Sequence, residues 1–185
     1  MSTYEATDRD AAEPPPPALG PSAAPRAGGA VWWRQALFLA VAAVTFGLDQ
    51  LTKALAVAYL EPVGSVPLVG FVRLTYVENR GAAFGVLQNQ TLFFIVVGVV
   101  VVAGLLASYR YLHTVPPLLN ACLGLQLGGA LGNLVDRIRQ GYVVDFFDLT
   151  WWPVFNVADS AIVVGVCVMA YYLLFASRRA QSAHE

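Results

Sequence analysis

The chain opens with about thirty residues that show no hydrophobic period, then continues as four long apolar stretches at about 35–60, 92–109, 116–135 and 157–176. Each is near the roughly 20 residues a helix needs to cross a hydrocarbon core, so the pattern predicts four transmembrane helices. Between the helices the period changes. Residues 66–77, VPLVGFVRLTYV, are rich in Val, Tyr and Thr with partial alternation, and Tyr142–Phe147 has the same character; both read as short strands. Open strand edges are not tolerated in hydrocarbon, so these strands belong at the interface or over the helix bundle. The expected fold class is a membrane all-α bundle with a small sheet.

The flanking segments set the orientation. Residues 1–30 carry Glu5, Asp8, Asp10, Glu13 and the run Pro14–Pro17, and read as a disordered tail. An acidic, proline-rich start is unlike the basic and then apolar start of a cleaved signal peptide. Trp32, Trp33 and Arg34 stand at the first boundary as interfacial anchors. Four crossings put both termini on one side, with Arg26, Arg34, Arg110, Arg178 and Arg179 there and Arg73, Arg80, Arg137 and Arg139 opposite. Five against four favours cytoplasmic termini. The expected organisation is a cytoplasmic tail at 1–30, a four-helix membrane domain at 31–177 with far-side loops at 61–91 and 136–156, and a second cytoplasmic tail at 178–185.

Composition agrees with the pattern. Apolar residues make up 57% of the chain and charged ones 12%, against roughly 25% charged in soluble domains. A net charge of -1, with eleven basic residues and no basic run, excludes a nucleic-acid footprint. Cys122 and Cys167 both lie in apolar runs, which gives neither a disulfide framework nor a zinc site.

Charge is costly beside a bilayer, so each polar residue in or near a span needs an account. Asp49 and Lys53, the only lysine, are neighbours at i and i+4 on the first helix. In ENRGAAFG, Glu78–Gly85, Asn79 and Arg80 offer donors to a peptide or lipid head group, or else form a tight turn. Gly128, Gly129, Ala130 and Gly132 make a small-residue seam for close helix packing. Asn133, Asp136 and Arg137 follow as a polar cluster, in which Asp136 is read as ionised beside Arg137 and Arg139. Asp145 differs: Val143, Val144, Phe146 and Phe147 flank it, no basic residue lies within five positions, and apolar surroundings raise a carboxyl pKa.

Asn156 reads as the N-cap of the last helix and Asp159 as its N3 position. Asp148 finds no obvious partner and reads as a solvated interfacial charge. Thirteen residues separate Asp145 from Asp159, enough for a strand to turn back to the helix start. Two facing carboxylates share a proton, which supplies one base to activate water and one acid for the leaving group. The helix N-terminus favours the charge on Asp159 and leaves the proton on Asp145.

In combination these motifs resemble the bacterial lipoprotein signal peptidases, the type II signal peptidases that are membrane aspartic proteases. The matching residues are Asp49, Gln50 and Lys53 in DQLTK, Asn79 with GAAFG, GGALGN with Asp136 and Arg137, Gly141 with VVDF, and FNVAD with Ser160, Ala161 and Ile162. The likeness covers about residues 33–176. It implies a four-helix bundle of the inner membrane with a small extracytoplasmic β-sheet cradle near the active site. The implied reaction removes signal peptides from prolipoproteins, cutting before a cysteine that carries diacylglycerol. By the same resemblance Asp145 and Asp159 are the catalytic aspartates and Asp136 a supporting one. Asn79, Asn133, Arg137 and Asn156 line the site or contact substrate, and Asp49 and Lys53 form the first helix's buried pair. No metal or cofactor is implied, and the partners are diacylglyceryl-modified prolipoproteins and membrane lipid, with the enzyme a monomer. The tail before the first helix is long for this family and the loop from Asp145 to Asp159 short, which could alter substrate fit.

The competing class is a small multi-spanning ion or proton transporter with Asp49, Lys53, Asp136 and Asp159 lining an ion path. A non-catalytic lipid-binding scaffold is a third reading. The dyad reading requires Asp145 and Asp159 at one interface, within reach of each other directly or through one water.

Overall fold

The computed structural model describes residues 32–81 and 90–181. The 1–30 tail, Ala82 to Gly85 of the GAAFG motif and the end of the 178–185 tail lie outside them. In chain order the elements are α1 (Trp32–Leu60), β1 (Ser65–Val69), β2 (Val72–Asn79), α2 (Thr91–Ala107), α3 (Pro117–Gln140), β3 (Val143–Asp148) and α4 (Val157–Gln181), with a 3-10 turn at Ser108–Tyr111 after α2. Among the described residues four helices are long and apolar enough to span a membrane. The chain is a multi-pass membrane protein.

Lipid tails are as apolar as leucine, so helices in a membrane are held by close packing rather than by hydrophobic exclusion. The α3 glycines supply that closeness. A Cβ built on Gly124 would lie 2.7 Å from the Phe38 carbonyl oxygen, and one on Gly128 would lie 2.5 Å from that of Ala42; at Gly132 it would strike the Asp49 carboxylate. This i, i+4, i+8 row seats α1 directly on α3. Gly129 faces the other way, where a Cβ would meet the Ala158 carbonyl at 2.5 Å, and seats α4. α2 is apolar all round, buries Val102 against α3 and leaves most of its side chains to lipid.

Helix α3 runs to Gln140, five residues beyond the apolar stretch that predicts it, and ends where Gly141 adopts a left-handed φ of 84°. The polar turn stays helical because Asp136 points inward and is buried. The strands form one antiparallel sheet in the order β1-β2-β3, at the end of the bundle where α1 and α3 finish and α4 begins. The stretch read as one strand at 66–77 is a hairpin. Gly70, at a φ of 58°, makes the turn between β1 and β2, a conformation that costs glycine no steric strain. β2 then pairs with β3, placing Val77 opposite Asp145 and Asn79 opposite Val143. Val144 and Phe146 pack on Ala56 and Leu60 and fasten the sheet to the end of α1.

At the opposite end, Arg34 does more than anchor an interface. Its guanidinium donates to the carbonyl oxygens of His113 at 2.8 Å and Val115 at 3.1 Å and ties α1 to the α2–α3 connection.

Candidate active site

Three elements bring two carboxylates together. Asp145 is carried by β3, whose neighbours Val144 and Phe146 are drawn onto α1, so Asp145 turns into the bundle and is 1% exposed. The chain returns through an antiparallel bridge between Phe147 and Phe155, which delivers Asn156 and the start of α4. Asn156 and Asp159 form a reciprocal capping box: the Asp159 N–H donates to Asn156 Oδ1 at 2.9 Å and the Asn156 N–H to Asp159 Oδ2 at 3.3 Å. Asp159 is thus part of the α4 cap.

Each oxygen of the two carboxylates accepts an amide N–H. Asn156 Nδ2 donates to Asp145 Oδ1 at 2.6 Å and Asn79 Nδ2 to Asp145 Oδ2 at 2.8 Å. Asn133 Nδ2 donates to Asp159 Oδ1 at 2.7 Å, and the Asn156 backbone completes Oδ2. Asn156 therefore touches both acids and fixes their separation. Among the described residues neither acid has an ion-pair partner. Burial, and next the neighbouring Asp159 charge, push the Asp145 carboxyl up to about 7, against the pull of Asn79, Asn156 and more distant Lys53. A carboxyl so placed can hold a proton at neutral pH.

A second acid cluster abuts the first. Lys53 Nζ lies 2.8 Å from Asp49 Oδ2 and 2.8 Å from Asp136 Oδ2, and all three side chains are buried. The cation of Asp136 is thus Lys53 on α1, not Arg137 or Arg139 as chain proximity predicts. Sequence neighbours on a helix point to different faces, whereas the glycine row brings α1 within reach. Gln50 donates to Asp136 Oδ1 at 3.0 Å and Asp49 Oδ2 at 3.3 Å. Asp49 Oδ1 accepts the Ala158 N–H at 2.9 Å, so a residue of α1 caps α4.

Arg137 is near the site without being paired to it. Its guanidinium donates to the carbonyls of Asn133 and Gly81, lies 5.0 Å over the Phe94 ring, and stands within electrostatic reach of Asp159, Asp145 and Asp136. Arg80 is not brought to the carboxylates. It is exposed, pairs with Glu78 at 2.8 Å and lies over the Tyr142 ring. Asp148 is better held than its surroundings in sequence indicate. Thr75 Oγ1 donates to it at 2.7 Å and the Thr150 N–H at 2.7 Å, which lowers its pKa and fixes the turn after β3.

Beside Asp159 an apolar cleft of about 410 Å³ is lined by Leu149, Trp151, Trp152, Phe155, Val163 and Val164. Among the described residues no group of three or more His, Cys, Asp or Glu side chains is placed to hold a metal. Gln50 is a polar participant that the sequence names only as a match in DQLTK, with no role. Its signal was its position one residue after Asp49, within the DQLTK motif.

The class this chain defines is a spanning helical bundle with two carboxylates, one buried and one half-buried, at one end beside an apolar cleft. The relatives narrow this class. The sequence pattern of the family described as Signal peptidase (SPase) II matches residues 41–175. The lipoprotein signal peptidase of Moorella thermoacetica is 53% identical over 138 residues, covering 74% of this chain and 92% of that protein. That of Caldanaerobacter subterraneus subsp. tengcongensis is 56% identical over 138 residues, covering 73% and 93%. A solved structure described as a bacterial membrane enzyme, determined by the in meso method at 2.3 Å resolution, superposes with a TM-score of 0.67 at 28% identity, covering 75% of this chain and 88% of that one. The chain belongs to the signal peptidase II family and is a peptidase.

Proposed function

We propose that this protein removes signal peptides from prolipoproteins at the extracytoplasmic face of the bacterial inner membrane, with Asp145 and Asp159 as its catalytic pair. The observation that carries the reading is the clamp itself: a buried carboxylate, Asp145, and a half-buried one, Asp159, bridged by Asn156 and met by neutral amide donors rather than by a cation. Such a pair retains one proton at neutral pH, because two adjacent charges cannot both be accommodated.

The chemistry follows from that single proton. Asp159, at the positive end of α4, is the base that takes a proton from water. The hydroxyl adds to the scissile carbonyl carbon, and Asp145 gives its proton to the amide nitrogen as the C–N bond breaks. The tetrahedral oxyanion collapses to the signal peptide's carboxylic acid, whose proton passes to the released amine, so the products are a signal-peptide carboxylate and the ammonium of the lipid-modified cysteine. One proton remains in the pair and passes back between the carboxylates.

The cleft beside Asp159 supports the substrate class. Its aromatic and aliphatic walls suit an apolar signal peptide or an acyl chain arriving from the bilayer, and they adjoin the acid that activates water. Cytoplasmic termini, the long acidic tail and a monomeric enzyme complete the proposal. The transporter reading has less support, since Asp49, Lys53 and Asp136 are engaged with one another in ion pairs and the relatives are peptidases.

Cleavage of a purified diacylglyceryl prolipoprotein by Asp145→Asn and Asp159→Asn variants tests this directly. Each is expected to lose at least about a thousandfold in turnover while remaining folded, because members of a catalytic unit fail together. Normal processing by either variant contradicts the assignment.

A further inference from the structure

Lys53 is built into the reaction without touching the substrate or the acids that perform it. An ammonium has three N–H donors and no acceptor. Two point to Asp49 Oδ2 and Asp136 Oδ2, which accounts for the charge. The third goes to Asn133 Oδ1 at 2.9 Å, and the other end of that same amide donates to Asp159 Oδ1 at 2.7 Å.

We propose that Lys53 is a positioning residue for the peptidase reaction, acting through the Asn133 amide to fix how Asp159 is presented to the attacking water. This rests on the assignment of Asp159 made above.

The argument turns on the two orientations open to a primary amide, which have nearly the same shape but exchange oxygen for NH2. In the observed one, Asn133 Oδ1 accepts from Lys53 and, at 3.2 Å, from Asn156 Nδ2, while its NH2 faces the Asp159 carboxylate. Turned over, the NH2 would face an ammonium and a second amide N–H, and the carbonyl oxygen would face a carboxylate. All three contacts would become repulsive. Of the two bonds to Asn133 Oδ1, the charge-assisted one from Lys53 is the stronger. Asn156 cannot substitute for it fully, because its own NH2 is also engaged by Asp145 at 2.6 Å and the Val144 carbonyl at 3.4 Å.

With Asn133 locked, both oxygens of Asp159 have defined donors, and its remaining lone pairs are aimed rather than free to rotate. The charged groups around this point are Asp49 and Lys53 on α1, Asp136 and Arg137 on α3, Asp145 on β3 and Asp159 on α4. Removing the ammonium leaves an excess of negative charge among them. Both limbs of the pH–rate profile then move to higher pH, since each acid becomes harder to ionise.

The test compares Lys53→Met with the parent enzyme on a diacylglyceryl prolipoprotein, normalised to folded protein. The expected result is a kcat lower by about 10- to 100-fold, the usual size of an outer-shell defect, with KM within about twofold because Lys53 is buried and away from the cleft. Both pH limbs shift upward. A purely structural lysine gives the opposite pattern, lower thermal stability with kcat and pH limbs unchanged per folded molecule, and that result overturns the proposal. Where Lys53→Met yields no folded protein, Asn133→Asp decides: it keeps an oxygen for Lys53 but removes the N–H offered to Asp159, and a parental kcat in it also overturns the proposal. Asp159→Asn runs alongside. If it remains active the catalytic assignment itself fails; if it is dead while Lys53→Met and Asn133→Asp turn over normally, only the role of Lys53 fails.

Discussion

Asp49 with Asp136, and Asp145 with Asp159, are two pairs of acids in adjoining clusters at one end of the bundle, yet their partners differ. The first pair encloses a lysine at 2.8 Å on either side. The second is met by three asparagines and no described cation. The worth of the first pair lies in joining α1, α3 and α4. Burial, and next the Asp159 charge, push Asp145 up to about 7 against the weaker pull of its neutral amide donors and of more distant Lys53, so it keeps a proton within reach of neutral pH. Asp49, Asp136 and Asp145 are all buried, so burial does not set Asp145 apart from the other two; the partner does.

Breaking the cation-bound pair should cost the fold more than the chemistry. Asp49→Ala removes an ion pair, a contact with Gln50 and the acceptor for the Ala158 N–H, so a loss of about 3–5 kcal/mol is expected in thermal or denaturant unfolding. Asp136→Asn should cost less, about 1–3 kcal/mol, because Asp49 remains to hold Lys53. A fully stable but inactive Asp136→Asn enzyme would show that the two pairs have been assigned the wrong way round.

Gly132→Ala attacks the same cluster through packing. The new methyl would occupy the space of the Asp49 carboxylate, and an overpacked site of this kind loses about 1–3 kcal/mol, read as a lower melting temperature. The neutral-amide pair predicts instead a pH dependence. The pair needs one proton, so turnover should fall on the alkaline side through an apparent pKa near that of Asp145, about 7, a value that belongs to the coupled pair. Activity constant from pH 6 to 9 would be incompatible with a shared proton. The smallest effect is expected at Arg80, whose exposed pair with Glu78 lies off the site; Arg80→Gln should change turnover by less than about twofold.

Much of this arrangement was legible in the chain. The four spans follow from apolar length, the capping box from the spacing of Asn156 and Asp159, and the special character of Asp145 from its apolar flanks. The i, i+4 spacing also gave the Asp49–Lys53 pair. What was not legible depends on helix contacts far apart in sequence. The ion pair of Asp136 with Lys53 exists because Gly124, Gly128 and Gly132 let α1 approach, and a one-dimensional reading supplies Arg137 in its place. The hairpin at Gly70 was signalled by the glycine itself, in a stretch whose partial alternation read through it. Arg80 was grouped with Asn79 by adjacency, but β2 ends at Asn79 and Arg80, just beyond it, turns to Glu78 and the Tyr142 ring. Asp148 found its partner in Thr75 only through the pairing of β2 with β3.

The central claim is that the acids without a cation do the chemistry. Its most direct measurement is turnover of a diacylglyceryl prolipoprotein per folded molecule, with melting temperature recorded beside it, for Asp49→Asn, Asp136→Asn, Asp145→Asn and Asp159→Asn in one series. The predicted result is lost turnover with a retained melting temperature at Asp145 and Asp159, and lowered melting temperature with turnover largely kept at Asp49 and Asp136. Turnover surviving at Asp145 or Asp159, or lost at Asp136 with the fold intact, would contradict it.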